Sequence, residues 1–358
     1  MKTLKTILVT GGTGYIGSHT VVELIEAGHE VVIVDNLCNS KQSVLDRLET
    51  ITGQRPEFVQ ADVRDYDALC RIFNAYRIDA VMHFAGLKAV GESAQIPVDY
   101  YENNVSGSLS LVKAMMHAGV DTLVFSSSAT VYGDPASVPI EESFPLSASN
   151  PYGRTKLMVE DILRDVSRAN GQWRIGLLRY FNPVGAHSSG IIGEDPAGIP
   201  NNLVPYVSQV AVGRLEELSV YGNDYPTPDG TGVRDYLHVT DLAQGHIAAL
   251  NFLADNDGLL TVNLGTGRGH SVLEMIRAFE AASGRKIPYR FVARRPGDVA
   301  QCFTDPSFAK RTLGWEAQLS IADMCADTWK WQCWAADNLV ATEEIHTESA
   351  PENSGASV

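Results

Sequence analysis

The sequence predicts an α/β protein: a doubly wound parallel sheet, followed by a smaller α/β region towards the C-terminus. Three observations support this fold class. Short β-branched apolar runs alternate with longer helix-like stretches, a glycine-rich turn follows the first run, and the composition changes after about Phe181. Strands that are apolar along their whole length are expected when helices cover both faces of a parallel sheet.

The predicted strands and helices follow in chain order. The six apolar runs taken as strands are Thr6 to Thr10, Val31 to Val34, Phe58 to Ala61, Ala80 to Phe84, Thr122 to Phe125 and Ile175 to Leu178. Residues 18–27 have the periodicity of an amphipathic helix. Further on, Ser271 and Glu274 have capping-box spacing, which predicts a helix that ends near Ser283, before Gly284.

A glycine-rich turn joins the first strand to the first helix. Gly12, Gly14 and Gly17 satisfy the GxGxxG spacing, and Gly11 with Gly14 and Gly17 satisfies the GxxGxxG variant. Glycine lets the turn fold tightly, lets backbone N–H groups approach a pyrophosphate, and lets the helix pack on the strand. The turn therefore predicts a dinucleotide site, and a glycine-rich connection without a ligand is the alternative.

Two acidic residues bear on which dinucleotide binds. Asp35 ends the second strand, 18 residues after Gly17, where a carboxylate accepts hydrogen bonds from ribose hydroxyls and repels a 2′-phosphate. We therefore expect NAD rather than NADP, which comparable affinity for the two would contradict; the alternative is that Asp35 caps the following turn. Asp62 ends the third strand, where an adenine contact and a turn-forming role are equally open.

A tyrosine and a lysine one helical turn apart are the candidate catalytic pair. Asn150 suits a helix N-cap and Pro151 its first turn, which places Tyr152 and Lys156 on one face. A tyrosine phenol titrates at about pH 10, so a tyrosine base at neutral pH needs a neighbouring positive charge, which Lys156 and a nicotinamide cation supply. The alternative is a surface lysine beside an aromatic cap; the position of the pair after the glycine turn favours catalysis.

Three serines end the strand that precedes this helix, at the carboxyl edge of the sheet, where ligands bind in such folds. Ser128 is the leading candidate to hydrogen-bond the substrate oxygen and hold it against Tyr152 while a hydride leaves the adjacent carbon. Ser126 and Ser127 compete for this role, and each of the three could instead cap the strand end.

Taken together, these residues resemble the extended short-chain dehydrogenases, and within them the UDP-glucose 4-epimerase family. The resemblance extends from Lys5 to Trp334. The strings that carry it are Thr10 to His19, Asp35 to Ser40, His83 to Ser93, Ser126 to Gly133, Leu178 to His187, Gly193 to Leu203 and Asp229 to His238.

The resemblance implies an epimerase in which NAD stays bound and returns unchanged. Tyr152 then takes the proton from the sugar 4-hydroxyl while C4 gives its hydride to NAD. The resulting 4-keto sugar, held by its UDP, turns over and receives the hydride on the opposite face, so that UDP-galactose and UDP-glucose interconvert. The family also implies a homodimer, joined by helices near residues 98–117 and 152–168.

The resemblance assigns further residues to the two ligands. Together with the turn, Asp35, Asp62, Tyr152 and Lys156, the cofactor residues are Tyr15, Ile16, Asn36, Val63, Phe84, Ala85, Lys88, Asn103 and Phe181. Together with Ser128, the UDP-sugar residues are Asn182, Asn202, Leu203, Tyr221, Arg234, Arg295, Asp298 and Cys302. Arginine forks suit a diphosphate. Without the resemblance, the charged residues would be surface groups, the asparagines turn residues, and the apolar and aromatic residues core.

Cys302 departs from the family pattern, since many bacterial relatives carry tyrosine at the wall of the sugar pocket. A thiol is much smaller than a phenol, so we expect room for the N-acetyl group of UDP-N-acetylhexosamines, with neighbouring side chains filling the space as the alternative. A nucleophilic role for Cys302 is not expected, because the sequence implies no base nearby.

Two other functions compete. A nucleotide-sugar 4,6-dehydratase or decarboxylase would share NAD, Tyr152 and Lys156. Ala129 and Thr130 follow Ser128 where dehydratases have Asp-Glu, so elimination of water has no evident catalyst. A catalytically silent NAD-sensing regulator is the second alternative.

We expect residues 1–181 to form the NAD-binding Rossmann domain, with segments near 235–262 returning to it. Residues 182–340 are expected to form the UDP-sugar-binding domain, because Pro, Gly and Asn are frequent at 182–202 and 223–232. Residues 341–358 lack apolar periodicity, which predicts disorder.

Composition limits the partners. The formal net charge of −15 argues against nucleic acid or an anionic membrane as the main partner. The five cysteines are odd in number and lack CxxC or Cys/His spacing, so we expect a reducing cytoplasm, no disulfide framework and no metal site. No run approaches the roughly 20 apolar residues of a membrane helix.

Overall fold

The computed structural model describes residues 4–196, 198–295 and 297–339. The predicted disorder of residues 341–358 lies outside these ranges. The strands are β1 Thr6–Thr10, β2 Glu30–Asp35, β3 Glu57–Gln60, β4 Ala80–His83, β5 Thr122–Ser128, β6 Arg174–Tyr180, β7 Asn182–Val184, β8 Leu218–Tyr221, β9 Val233–His238, β10 Gly258–Leu264, β11 Gly269–Ser271, β12 Tyr289–Val292 and β13 Gln301–Cys302.

Helices alternate with these strands along the chain. They are α1 Tyr15–Glu26, α2 Val44–Thr52, α3 Tyr66–Ala75, α4 Val90–Gln95, α5 Pro97–Tyr100, α6 Gly107–Ala118, α7 Pro151–Ala169, α8 Leu203–Ala211, α9 Val239–Asp255, α10 Val272–Ser283, α11 Ser307–Leu313 and α12 Ile321–Asn338. Among the residues that the structure describes, no helix is both long enough and apolar enough to cross a membrane.

Seven parallel strands form the main sheet, in the order β10-β6-β5-β4-β1-β2-β3. Side chains along each strand alternate between two apolar layers. In β1, Ile7 and Val9 pack with α1, α2 and α9 on one face, whereas Leu8 packs with α3, α6 and α7 on the other. This double coverage is the reason for the uninterrupted apolar runs, and the predicted doubly wound parallel sheet is confirmed.

A smaller unit follows β6. Strands β7, β9, β11 and β13 form a four-stranded sheet, and β8 pairs with β12. Helices α8, α10 and α12 pack around an apolar cluster that includes Val207, Phe279 and Met324. After β9 the chain returns to the main sheet, where α9 packs on α1 and β10 pairs with β6.

The predicted limits of α10 are confirmed. Ser271 accepts a hydrogen bond from the backbone N–H of Glu274, and the Glu274 side chain accepts one from the backbone N–H of Ser271. Gly284 follows the helix with φ 66°, a left-handed conformation that glycine adopts without steric cost.

The helix expected near residues 98–117 differs from the prediction. It consists of α5, a π-helical segment at Tyr101–Ser106, and α6. Within the π-helical segment the buried Asn104 hydrogen-bonds both Leu87 and the side chain of Thr155 on α7. The π-helical turn, which is wider than an α-helical turn, contains the residue that makes these contacts. The spacing of apolar residues in the sequence does not predict such a turn.

The ends of β3 and β5 also differ from expectation. The strand β3 ends at Gln60, so Asp62 lies in the following turn, where its carboxylate accepts the Arg64 backbone N–H at 2.9 Å. This local hydrogen bond replaces a strand contact. The strand β5 extends beyond the apolar run that ends at Phe125, because the serines at 126–128 pair in register with β6; the prediction that these serines end the strand is confirmed.

A buried ion pair ties α7 to β6. Arg179 donates from Nε and Nη2 to the two carboxylate oxygens of Glu160, at 2.9 and 2.7 Å, and both side chains are essentially inaccessible to solvent. Ser127 of β5 donates to the same carboxylate at 2.5 Å. Burial raises the Glu160 pKa, but hydrogen bonds and charge from Arg179 outweigh burial and hold that pKa below its ordinary value.

We predict that Glu160→Ala destabilises the protein strongly. Removing one partner leaves the Arg179 charge buried and unpaired, which typically costs about 3–5 kcal/mol. The melting temperature should fall by roughly 5–10 °C. Asp165→Ala is the control, since its ion pair with Arg168 is exposed and should contribute little. Equal shifts in the two variants would contradict the prediction.

Candidate active site

The glycine turn is shaped to admit a ligand against its backbone. Gly11 has φ +71°, and a Cβ there would lie 2.7 Å from the backbone nitrogen of Ala85. A Cβ at Gly17 would lie 2.1 Å from the carbonyl oxygen of Gly11. Because these neighbours are backbone atoms, side chains at these positions would displace the turn.

The N-terminus of α1 opens directly from this turn. Gly14 is its N-cap and offers no side-chain acceptor to the first helical N–H groups. Tyr15 and Ile16 begin the helix, so backbone donors in its first turn remain for an anion. The residues therefore fit the pyrophosphate of a dinucleotide.

The strand order reverses at this point. β1 lies between β2 and β4, and the helices α1 and α3 cover opposite faces of the sheet, which opens a crevice at the carboxyl edge. Asp35 ends β2 at this edge, and Phe84 and Ala85 follow β4. Three parts of the predicted cofactor site thus converge, although they are far apart in the chain.

Asp35 contacts both the glycine turn and the turn that follows β2. Its carboxylate accepts the backbone N–H of Thr13 at 3.2 Å and that of Leu37 at 2.9 Å. Its turn-capping role is therefore present, alongside a position suited to a ribose. Asn36 donates to Asp62 at 3.0 Å, which brings these two predicted cofactor residues together.

Tyr152 and Lys156 lie on one face of α7. As predicted, Asn150 caps the helix, by accepting the Gly153 N–H at 2.8 Å. Lys156 donates to the Ser126 carbonyl at 2.7 Å, and its Nζ lies 6.0 Å from the centre of the Tyr152 ring. The pair is buried, and the lysine is aimed at the end of β5 beside the tyrosine.

Burial shifts both pKa values in the direction that favours the neutral side chains. It lowers the pKa of Lys156 to about 8, with the Glu160 charge opposing the shift. It raises the pKa of Tyr152, with a hydrogen bond from Ser128 opposing that shift. Ionised Tyr152 therefore needs additional positive charge nearby.

The pleat of β5 separates the three serines. Ser127 points towards α7, where its hydroxyl donates to the buried carboxylate of Glu160 and is not free for a substrate. Ser126 and Ser128 share the other face, where Ser126 hydrogen-bonds the Tyr180 hydroxyl and Ser128 accepts from the Thr130 hydroxyl at 2.9 Å. Because Ser128 is close enough to the Tyr152 phenol to lower its pKa, it is the serine best placed to share a substrate oxygen.

Lys88 and Asn202, assigned to different ligands, meet at one carboxylate. Both donate to Glu194 Oε1, at 2.8 and 3.1 Å. Lys88 Nζ also lies 5.8 Å from the centre of the Tyr15 ring. The structure therefore links the loop after β4 to the start of α8.

Another group of predicted substrate residues lies at the end of β8, in the loop after β12, and on the paired strands β9 and β13. Arg295 donates to Asp298 at 2.9 Å and its guanidinium lies 4.8 Å from the centre of the Tyr221 ring. Arg234 and Cys302 pair directly in the register of β9 and β13. Among the residues that the structure describes, no hydrogen bond joins these residues to Tyr152 or Lys156.

The remaining predicted residues take varied positions. Among the cofactor residues, Phe84 packs on His246, Val63 is buried, and Asn103 donates to Asn104. Phe181 shares an apolar cluster with Cys302. Among the UDP-sugar residues, Asn182 begins β7 on the surface and Leu203 begins α8. Burial raises the pKa of Cys302 to about 11, which opposes a nucleophilic role.

Sequence reasoning missed several residues that hold the site together. Glu160 lies one turn after Lys156 on the same helix face, so its spacing could have indicated it. Asp235, beside Arg234, is fully buried and accepts backbone N–H groups from Thr266, Gly267 and Thr304. Nothing local marks Asp235 or Glu194, because their partners are distant in the chain. In the described part of the chain, no group of His, Cys, Asp and Glu side chains could hold a metal ion.

Comparisons with known proteins agree with this geometry. A family model described as GDP-mannose 4,6 dehydratase matches residues 8–328. A UDP-glucose 4-epimerase of Bacillus subtilis is 61% identical over 326 residues, which cover 91% of this chain and 96% of that protein.

Solved structures give the same relationship. A UDP-glucose 4-epimerase from Stenotrophomonas maltophila, with bound NAD and formylated UDP-arabinopyranose, is 56% identical, with TM-score 0.92 over 93% of this chain and 99% of that chain. One from Bifidobacterium longum, in complex with NAD+ and UDP, is 54% identical, with TM-score 0.90 and the same coverage. The family resemblance seen in the sequence is thereby confirmed: the chain belongs to the broad family of the GDP-mannose 4,6 dehydratase model and, within it, to the UDP-glucose 4-epimerases.

Proposed function

We propose that the chain is an NAD-dependent UDP-glucose 4-epimerase that interconverts UDP-galactose and UDP-glucose through a 4-keto intermediate. The observation that carries the proposal is the placement of Tyr152 and Lys156 beside Ser128, at the carboxyl edge of the sheet that also holds the glycine turn. Relatives about 60% identical over most of the chain carry the same activity in their names.

In this proposal Tyr152 is the acid and base. When bound, NAD supplies the acceptor and donor of the hydride. Ser128 holds the sugar 4-hydroxyl, and Tyr152 takes its proton and returns it after the sugar has turned over. Lys156, fixed by the Ser126 carbonyl, supplies a positive charge that favours phenolate.

The diphosphate and uridine are assigned to the smaller unit. Arg234 and Arg295 suit a diphosphate because each presents several N–H donors in a fixed fork. The Arg295–Asp298 pair and the stacked Tyr221 hold one of these forks in place. We likewise propose that residues 1–181 with a returning segment near 235–262 serve NAD, and that residues 182–340 serve the UDP-sugar.

The dehydratase or decarboxylase alternative is not favoured. Dehydration needs an acid and a base beside the serine, whereas Ser128 is followed by Ala129 and Thr130, and the Thr130 hydroxyl donates back to Ser128. A silent NAD-sensing regulator would have no use for a buried lysine aimed at the active-site edge beside Tyr152.

The central experiment mixes the purified protein with UDP-galactose, without added NAD, and follows C4 inversion by NMR. We expect inversion in the wild type and a loss of about 10²–10⁴-fold in kcat in Tyr152→Phe. Absence of inversion in the wild type would overturn the proposal.

The pH at which Tyr152 ionises tests the electrostatic part. Burial raises the pKa of Tyr152, and a nearby positive charge lowers it. Because only oxidised NAD carries the nicotinamide cation, phenolate should form at lower pH when oxidised NAD is bound than when NADH is bound. Lys156→Met removes a second positive charge and should raise the pH of ionisation in both redox states. The measurement is the phenolate absorbance difference between wild type and Tyr152→Phe during a pH titration. Identical ionisation in both redox states would argue against this role for the cofactor charge.

We propose that UDP-N-acetylhexosamines are also substrates. Cys302 lies on β13 beside Arg234, and its small side chain shares an apolar cluster with Phe181. Cys302→Tyr should therefore reduce kcat/KM for UDP-N-acetylgalactosamine by at least about 10-fold while sparing UDP-galactose. Cys302→Ser is the size-matched control. Unchanged N-acetyl substrate turnover in Cys302→Tyr would refute the idea.

We propose a homodimer formed through α5, α6 and α7. Val98, Met116 and Met158, one on each of these helices, are exposed apolar side chains, and α5 packs against α7. Light scattering should give the mass of a dimer, and Met158→Arg should shift it towards the monomer. A monomeric wild type would contradict the proposal.

A cytoplasmic location is proposed because all five cysteines are free, which a reducing compartment preserves. Subcellular fractionation tests it, and recovery outside the cytoplasm would refute it.

A further inference from the structure

Glu194 lies between the segments assigned to the two ligands. Its Oε1 accepts hydrogen bonds from Lys88 Nζ at 2.8 Å and from Asn202 Nδ2 at 3.1 Å. The Glu194 side chain is only 10% exposed, so the contact with Lys88 is sheltered from solvent on one side. One carboxylate oxygen therefore joins a predicted cofactor contact to a predicted substrate contact.

The backbone of Glu194 is held by packing outside both ligand sites. Trp331 of α12 donates its indole N–H to the Glu194 carbonyl at 3.1 Å. A Cβ at Gly193 would lie 2.4 Å from the Trp331 ring, so the close approach requires glycine. Trp331 stacks on Trp334, and the guanidinium of Arg47 on α2 lies 5.6 Å from the Trp331 ring. The backbone of Glu194 is therefore held in place, so that its carboxylate can orient Lys88 and Asn202.

The contact determines which end of the Asn202 amide faces away from Glu194. A carboxylate only accepts hydrogen bonds, so the NH₂ group points to Glu194 and Oδ1 points elsewhere. Asn202 is also the N-cap of α8, yet its side chain makes no capping hydrogen bond. Asparagine at this position usually caps its own helix. Here its side chain is committed to Glu194 instead, which leaves Oδ1 as an acceptor for a hydroxyl or N–H group.

We propose that Glu194 is a positioning residue that couples the binding of NAD to the binding of the UDP-sugar. By holding Lys88 it orients a cation suited to the cofactor diphosphate, and by holding Asn202 it orients an acceptor for the substrate. The inference rests on the proposed function for the identity of the two ligands. Because coupling between two sites is reciprocal, Glu194 should strengthen the effect of each ligand on the other by the same factor.

The test compares wild type with Glu194→Gln, which keeps the side-chain size and removes the charge. In the wild type, UDP should slow the loss of NAD during gel filtration, and in Glu194→Gln this protection should fall by about 10-fold. The KM for UDP-galactose should rise by about the same factor, while kcat changes less than about 3-fold. Glu194→Asp, which keeps the charge, should recover part of the protection.

Asp195→Asn is the matched control. Asp195 is the next residue, and its ion pair with Lys41 at 3.4 Å also joins the two parts of the chain, but neither residue is assigned to a ligand. This variant should keep wild-type KM and UDP protection. Melting temperatures are measured for all variants, because a merely structural role would lower stability without changing the effect of UDP on NAD.

Wild-type UDP protection in Glu194→Gln would overturn the inference, as would an equal loss of protection in Asp195→Asn. The UDP and NAD measurement needs no turnover, so it remains decisive if the wild type fails to invert UDP-galactose. In that case the proposed function fails separately, on the NMR result.

Discussion

The reversal of strand order at β1 is the constraint on which the site depends. Neighbouring strands on the two sides of β1 are connected by helices on opposite faces, so the sheet must open a crevice at its carboxyl edge. The glycine turn, the end of β2 and the loop after β4 all reach this crevice. Because Gly11 and Gly17 have no side chain, the backbone of Ala85 can approach Gly11 and the backbone of Gly11 can approach Gly17. The N-terminus of α1 faces the same space.

A second constraint is the burial of charge beneath the catalytic helix. Burial lowers the pKa of Lys156 to about 8, the Glu160 charge opposes this shift, and the Ser126 carbonyl accepts a hydrogen bond from the ammonium. Glu160 is in turn compensated by Arg179 of β6. The neighbouring strand β5 contacts both α7 groups, since the Ser126 carbonyl accepts from Lys156 and the Ser127 hydroxyl donates to Glu160. The interactions that stabilise the charges of Lys156 and Glu160 therefore also fix the position and orientation of α7.

The smaller unit completes the site through contacts that span the chain. Asp235 of β9 accepts backbone N–H groups from Thr266, in the turn after β10, and from Thr304, just after β13. These hydrogen bonds hold β13 against β9, where Arg234 pairs with Cys302. Glu194 performs a comparable role at the junction with the main sheet, where it joins Lys88 to Asn202. In both cases one carboxylate accepts several donors, so each loop position depends on segments far away in sequence. Ligand contacts from two units can then act on one another.

The sequence by itself determined the parallel sheet, the glycine turn and the pairing of Tyr152 with Lys156. These features depend on local chemistry: apolar runs, positive-φ glycine and helical spacing operate within about ten residues. The family resemblance added the ligand contacts. Only the tertiary structure decided that the Ser127 hydroxyl is committed to Glu160, because that depends on how β5 packs against α7. It alone also showed that Glu160 meets Arg179, that Asp235 meets Thr304 and that Glu194 meets Lys88, because these partners are distant in the chain and no local pattern records which donor a carboxylate will meet.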